Sequence, residues 1–287
     1  MSVGQPSVTA LLPAYNAAAF IDETLQSLAA QTYPNLRVLI SVDASTDDTA
    51  ERCERVARGD ARFTVVRQPQ RLGWIDNSRE LLRRAESDLC FFMGHDDVVE
   101  PEYVEALVAA LVVNPRAVMA HSDMELFRPD GRRTTRAYVD LDGVNERRER
   151  ARMVLLRGHA WANTYRGLFR TSVAHSGQPL RKHLAGDRTA DWPFLLHFAL
   201  AGECVRVPSV LYRKRMHAGS LTASRRIGVH HRVSVDLCCG RMLLQADLPL
   251  RERTRLLATL ARRMAMDVIE LAPLLGTRAR RRIRRGG

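Results

Sequence analysis

The chain has 287 residues, 46% of them hydrophobic and 26% charged, which is long enough for one large domain or two small ones and ordinary in charge content for a soluble protein. Its net charge of +12 is not ordinary: residues 251–285 hold eleven arginines against three acids, leaving about +4 for everything before them, so the basicity belongs to a C-terminal appendage. The longest uninterrupted apolar run, Ala106 to Val113, has eight residues, well short of the ~20 that a membrane span requires, and this excludes a bilayer-crossing helix.

The first 120 residues alternate strand and helix signals. Val8 to Leu12 reads as a strand. Ala18 to Ala30 reads as a helix, with Phe20, Ile21, Leu25 and Leu28 on one face and Asp22 and Glu23 in its first turn. Leu36 to Val42 is a second strand. Ser45-Thr46-Asp47-Asp48 resembles a capping box and opens a helix running to Arg58. Phe63 to Val66 is a third strand, followed by a short helix over Asn77 to Ala85. Leu89 to Met93 is aromatic and apolar and reads as a buried strand, Pro101 to Val113 as a helix, and Ala117 to Ala120 as a fifth strand. This alternation predicts an α/β fold with a mainly parallel sheet flanked by helices.

From Phe127 the pattern loosens. Pro129-Asp130-Gly131 is a turn, and Arg132 to Asp142 reads as an edge hairpin. Asn145 to Arg157 reads as a helix, as does Asp191 to Ala201, whose apolar set is Trp192, Leu195, Leu196 and Phe198. Val205 to Arg215 returns to strand character, broken by Pro208. From Ile227 onward the chain predicts a helical C-terminal extension. Two units are expected, 1–222 and 223–287. Five cysteines in no C-x-x-C spacing predict reduced, buried thiols of a cytosolic protein, and no basic n-region precedes an apolar h-region at the N-terminus.

The chemistry gathers at strand ends. The first strand ends in Pro13-Ala14-Tyr15-Asn16, the second in Asp43-Ala44-Ser45-Thr46-Asp47, and the fourth in Gly94-His95-Asp96-Asp97. In a parallel sheet these ends share one edge, where open α/β sheets bind ligands. The edge offers a flat ring, an amide and several carboxylates. A nucleotide needs a surface for its base, an acceptor for a base N–H and a cation for its diphosphate, and paired carboxylates with substrate phosphates suit Mg²⁺. Each residue alone has a plainer reading: packing for Tyr15, helix caps for Asp43 and Asp47, a turn for Asp96. Three strand ends carrying such residues together favour the binding site.

Val8 to Asn16, Gln31 to Asn35, Asp43 to Thr49, Gly94 to Asp97, Ala190-Asp191-Trp192, and Leu211-Tyr212-Arg213 with His217 and Ser220 resemble family 2 glycosyltransferases of the GT-A fold. The resemblance spans roughly residues 6–222 through several ordered motifs. It implies an inverting transfer of a sugar from a nucleotide-diphosphate sugar, UDP-linked by expectation, to an acceptor hydroxyl, with Mg²⁺ or Mn²⁺, in cell-surface polysaccharide or glycolipid synthesis. By position it implies that Pro13, Ala14, Tyr15 and Asn16 frame base and ribose and that Asp43 accepts from the base. Asp96 and Asp97 would serve ribose and metal, with Asp97 the direct metal ligand, and His217 would approach the metal or diphosphate. Asp191 would be the general base, partly desolvated beside Trp192 and so raised in pKa. Its plainer reading is a helix N-cap. His159 and Trp161 would bind the acceptor. The chain departs from the family pattern at Gly94 and Val42, where many members carry Asp, and at Ser78-Arg79, where many carry Arg-Asn. This leaves open whether Asn77 or Arg79 contacts the donor.

Two other readings compete. Nucleotidyl transfer onto a sugar phosphate usually brings a Gly-rich phosphate loop, and this chain has Pro13-Ala14-Tyr15-Asn16 in its place. Nucleic-acid binding through the basic tail has no recognised motif behind it, and no nucleic acid is expected as a partner. In the tail, Leu256, Leu257, Leu260, Met264, Val268, Leu271 and Leu275 fall on one helical stripe, and six arginines follow between Arg278 and Arg285. The stripe suits an anionic membrane surface on the cytoplasmic side, or equally packing on the catalytic domain or on a second copy of the chain.

Overall fold

The computed structural model describes residues 5–138, 141–157, 164–186, 189–217, 219 and 228–283, without the side chains of 157, 229 and 267–283. Strands β1 (Val8–Ala14), β2 (Leu36–Val42), β3 (Phe63–Arg67) and β4 (Leu89–Phe92) pair in parallel in the order β3-β2-β1-β4. Helices α1 (Ile21–Ala29), α2 (Thr49–Gly59) and α3 (Trp74–Arg83) connect them. Because β1 lies between β2 and β4, winding reverses there and leaves a crevice beyond the strand C-termini. The strands ending in the three polar motifs thus share one sheet edge, as their spacing predicts.

Beyond β4 come β5 (Val98–Val99), α4 (Tyr103–Val113), β6 (Ala117–Phe127), β7 (Arg133–Arg136) and α5 (Arg147–Arg157). A 3-10 turn at Thr164–Arg166 leads into β8 (Leu168–Arg170) and α6 (Thr171–His175). Then follow α7 (Asp191–Ala201), β9 (Glu203–Arg215), α8 (Val229–Gln245) and α9 (Leu250–Ile283). The sheet continues β4-β8-β6-β9-β5, with β7 on β6. Strand β8 is antiparallel to both neighbours, while β6 and β9 pair in parallel over most of their length. Most paired residues therefore lie in parallel ladders. Three residues are too few to show alternation, which is why β8 escapes a reading of the sequence.

Two further elements differ from their sequence pattern. The fifth strand runs on to Phe127, because β9 supplies a partner along its whole length. Of the expected hairpin only Arg133–Arg136 pairs with β6, and Asp142 instead forms an isolated bridge to Cys204. In β9 the chain bulges: Ser122 pairs with Val207 and Asp123 with Val210, so Pro208 and Ser209 drop out of register. Proline has no N–H for the ladder, and a bulge bends the strand that carries it.

Apolar layers cover both sheet faces, and side-chain alternation along β1 and β4 feeds both. Leu12 and Phe91 face a layer with Leu25, Tyr103 and Leu107, while Leu11 and Phe92 face one with Ile75, Phe169 and Phe194. The second layer also takes in Val235, Leu243, Leu256 and Leu260 of α8 and α9. Leu257 and Met264 pack partly buried against it, so the first part of the C-terminal stripe faces protein. The side chains of Val268, Leu271 and Leu275 lie outside the described residues. No helix among the described residues is long and apolar enough to cross a membrane, and all five cysteines are free.

Candidate active site

Short polar side chains stitch the ends of β1 and β2 together, satisfying loop backbone groups that no ladder reaches. Asp43 N–H donates to Ala14 O at 2.8 Å. Asn16 sits in the left-handed region (φ 43°), and its Oδ1 accepts from Thr46 N–H at 2.9 Å. Asp47 accepts from the amides of Ala18 and Thr49 at 3.0 and 3.1 Å. Tyr15 presents its ring to Arg71, whose guanidinium carbon lies 3.5 Å from the ring centroid. His95 Nδ1 is 3.3 Å from Pro13 O, which ties the β1 end to the β4 end.

Asp43 is buried, and its oxygens accept from Leu72 N–H at 2.6 Å and Gly73 N–H at 2.9 Å, anchoring the start of α3. Asn77 is buried and bonded to Ser41 in both directions, through its Oδ1 and through Nδ2. Arg79 donates twice to Leu180 O, at 3.0 and 2.8 Å, and once to Asp76 at 2.8 Å. The structure thus directs both Asn77 and Arg79 into the protein's own contacts.

Adjacent acids at the end of β4 differ in their surroundings. The Asp97 side chain is 1% exposed. Its Oδ2 accepts from Arg166 Nε at 3.0 Å and from the Tyr212 hydroxyl at 2.7 Å, and its Oδ1 accepts from Arg215 N–H at 3.0 Å. Asp96 is partly buried, its side chain 17% exposed, with Oδ2 2.9 Å from His217 Nε2. The Phe20 ring packs on His217 at a centroid distance of 4.6 Å. Three protein donors thus enclose Asp97, which the sequence reading makes the direct metal ligand, while the neighbouring Asp96 carboxylate bonds His217. Spacing along the chain cannot say which of two neighbouring acids turns inward.

Asp191 is the first residue of α7; the cap position is Ala190, and no side chain caps the helix. Trp192 beside it is buried, with Nε1 donating to Val154 O at 2.8 Å. Burial raises the Asp191 pKa to about 6, against the pull of Arg166 and Lys214 and of the first amides of the helix. Burial also lowers Lys214 to about 8, helped by Arg166 and opposed by Asp97, Asp191 and Asp96. For Arg166 burial works against the charge, but Tyr212, Asp97 and Asp96 outweigh it and hold the guanidinium protonated. Arg166 and Lys214 each influence Asp191 as well as Asp96 and Asp97, so two cations lie near both groups of acids. Neither cation stands out in the sequence, although Lys214 follows the Leu211-Tyr212-Arg213 motif directly. His159, Trp161 and Ser220 lie outside the described residues.

The sequence profile described as Glycosyl transferase family 2 matches residues 9–170, more than half of the chain. The chain belongs to this family. An uncharacterized glycosyltransferase of Haemophilus influenzae is 31% identical over 122 residues, 42% of this chain and 38% of that protein. The chain thus matches well under half the length of that relative. Among solved structures, S. aureus TarS 1-349 in complex with UDP-GlcNAc superimposes with a TM-score of 0.68 at 18% identity, covering 90% of this chain and 72% of that one. The mannosyltransferase PcManGT of Pyrobaculum calidifontis, in complex with GDP-Man and Mn²⁺, does so with a TM-score of 0.56 at 18% identity, covering 96% and 80%. At such identities the likeness shows the GT-A fold. Family membership disfavours the nucleotidyl-transfer and nucleic-acid readings.

Proposed function

We propose that this protein is a glycosyltransferase that moves a sugar from a nucleotide-diphosphate sugar to an acceptor hydroxyl with inversion at the anomeric carbon. The observation that carries the reading is Asp191, buried at the head of α7 with its pKa raised to about 6 and the cations Arg166 and Lys214 near it. A carboxylate with that pKa is ionised at neutral pH and still basic enough to take a hydroxyl proton. One base on the face opposite the leaving group suffices for inversion. Hydrolases instead flank the bond with two carboxylates.

In this reading Pro13, Ala14, Tyr15 and Asn16 frame the base and ribose, and the stacked Tyr15 and Arg71 form their floor. Asp43 accepts from the base with the lone pair left on each oxygen. Asn77 and Arg79 act by placing α3. Among the described residues Asp96 and His217 are the paired carboxylate and imidazole at the β4 end. One carboxylate and one imidazole, completed by diphosphate oxygens, fit Mg²⁺ or Mn²⁺. Asp96 and His217 would hold the ion, which supplies charge neutralisation at the departing diphosphate when bound. The Mn²⁺ in the PcManGT complex supports a divalent ion as the cofactor.

UDP-sugars are the first donors to test, because TarS carries UDP-GlcNAc. A thermal-shift panel of UDP- and GDP-sugars with and without Mn²⁺ tests the reading, followed by NMR of the product anomer. Concentration-dependent stabilisation by a nucleotide sugar and an inverted product are the expected results. A retained anomeric configuration or no stabilisation by any nucleotide sugar overturns it.

The acceptor is assigned to the cell-surface polysaccharide or glycolipid class, with His159 and Trp161 as its contacts. The distal stripe residues Val268, Leu271 and Leu275, with the six arginines beyond, are assigned to an anionic membrane surface, where each base adds ~1 kcal/mol. Loss of sedimentation with anionic liposomes on deleting 277–287 is the expected result. A concentration-dependent dimer that the deletion dissolves favours contact with a second copy instead.

A further inference from the structure

Arg166 is a cation whose bonding capacity the protein leaves unused. It ends the Thr164–Arg166 turn, where its carbonyl accepts the Tyr103 hydroxyl. Gly167 lets that turn press against β6, since a β-carbon there would run into the Ala120 carbonyl. Strand β8 then enters between β4 and β6, so Arg166 emerges at the edge where β4 ends. Its Nε donates to Asp97 Oδ2 at 3.0 Å and to the Tyr212 hydroxyl oxygen at 3.1 Å, which sets the plane of the guanidinium. Its two terminal nitrogens, with four N–H donors, have no partner among the described residues, although the side chain is only 20% exposed. At 20% exposure these donors remain reachable, so a ligand can accept from them in place of water. A planar fork fixed at Nε and open at both ends matches the oxygens of a phosphate.

Gly94 belongs to the same arrangement. A β-carbon at 94 would collide with the Asp97 carboxylate, 2.9 Å from its Cγ. Only glycine lets that carboxylate fold back over the turn toward Arg166 and Tyr212. The motif therefore has one acid fewer where it gains an anchored arginine.

We propose that Arg166 binds the β-phosphate of the nucleotide donor through its two terminal nitrogens; this rests on the nucleotide-sugar reading above. The β-phosphate is the group bonded to the anomeric carbon; Arg166 is bonded to Asp97 beside Asp96, and its turn packs on α7, which begins at Asp191. As the bond from the anomeric carbon to the β-phosphate oxygen breaks, its electron pair stays on that oxygen. The acceptor oxygen forms the new bond, and its proton passes to Asp191. A fixed cation beside the growing charge lowers the barrier without reorganising.

Arg166→Lys keeps the charge beside Asp97 and removes the fork. Calorimetric titrations of both proteins with UDP, UMP, GDP and GMP in Mn²⁺ buffer read the effect. The expected result is a wild-type preference for diphosphate over monophosphate that falls at least tenfold in the variant, with monophosphate affinity unchanged. An unchanged preference overturns the proposal, as does an equal loss for both nucleotides, which marks a structural role. If the wild type binds none of the four, the nucleotide-sugar reading fails first. Phenylglyoxal modification of the unaltered chain, mapped by mass spectrometry, gives the answer even if the variant misfolds. Protection of Arg166 by the diphosphate and not by the monophosphate is expected; equal protection by both, or an Arg166 that the reagent never reaches, overturns it.

Discussion

The guanidinium of Arg263 lies 4.1 Å from the centroid of the Trp192 ring, joining the last long helix to the residue next to Asp191. The same guanidinium pairs with Asp236 and donates to Leu155 O, while Trp192 donates to Val154 O. Helices α5, α7, α8 and α9 therefore meet at the head of α7. Arg263→Ala leaves the 1% exposed Asp236 carboxylate unpaired, and a broken buried pair costs about 3–5 kcal/mol. Urea denaturation should show a loss of that size. Turnover should also fall with donor KM little changed, because the head of α7 is held less firmly. A variant as stable as the wild type would remove Arg263 from this role.

Asp191 gives a prediction in pH. Its folded pKa of about 6 stands above the ordinary 3.8, so between those values the native state holds the proton more tightly. Stability therefore falls as pH rises through that window and stays lower above it. Asp191→Asn removes the desolvated charge and should be more stable at pH 7, by on the order of 1–3 kcal/mol, with no difference below pH ~4. Its kcat should drop by ~10² or more, and wild-type kcat should fall as pH drops below ~6. Melting curves and rate profiles across pH 4–8 check both. A variant that melts earlier at neutral pH and keeps full activity would make Asp191 a structural residue.

The two acids of the β4 end should separate cleanly. Asp96→Asn and His217→Ala are expected to lose Mn²⁺-dependent donor stabilisation while melting within a few degrees of the wild type. Asp97→Asn should chiefly unfold the protein, since it leaves Arg166 buried against a neutral partner; the cost is about 3–5 kcal/mol. Thermal shift with and without Mn²⁺ reads all three. The reverse pattern, a stable Asp97→Asn that no longer responds to Mn²⁺, would return the metal to Asp97.

Gly94→Ala tests the fold-back of Asp97. The added methyl must displace a carboxylate held by three donors, and an overpacked site of this kind costs about 1–3 kcal/mol. Denaturation measures the loss. Donor binding should weaken with it, because Arg166 and Tyr212 lose their anchor. No change in either would show that Asp97 can swing aside freely.

Four parallel strands, their helices and the three polar strand ends were legible in the sequence, because each rests on neighbouring residues. Period-2 and period-3.6 apolar patterns place a strand over Leu36–Val42 and a helix over Asp191–Ala201 with the bounds observed. The polar residues that close each strand follow in the same short stretch. A raised pKa for Asp191 was readable too, from its place beside Trp192, and burial does raise it. What only the tertiary structure decided is the inside of the site. The bond from Arg166 to Asp97 spans 69 residues and that from Tyr212 to Asp97 spans 115. No local periodicity encodes which of Asp96 and Asp97 is enclosed when the partners that choose arrive from so far along the chain. The same holds for β8, whose three residues become a strand only because β4 and β6 stand on either side to bond them.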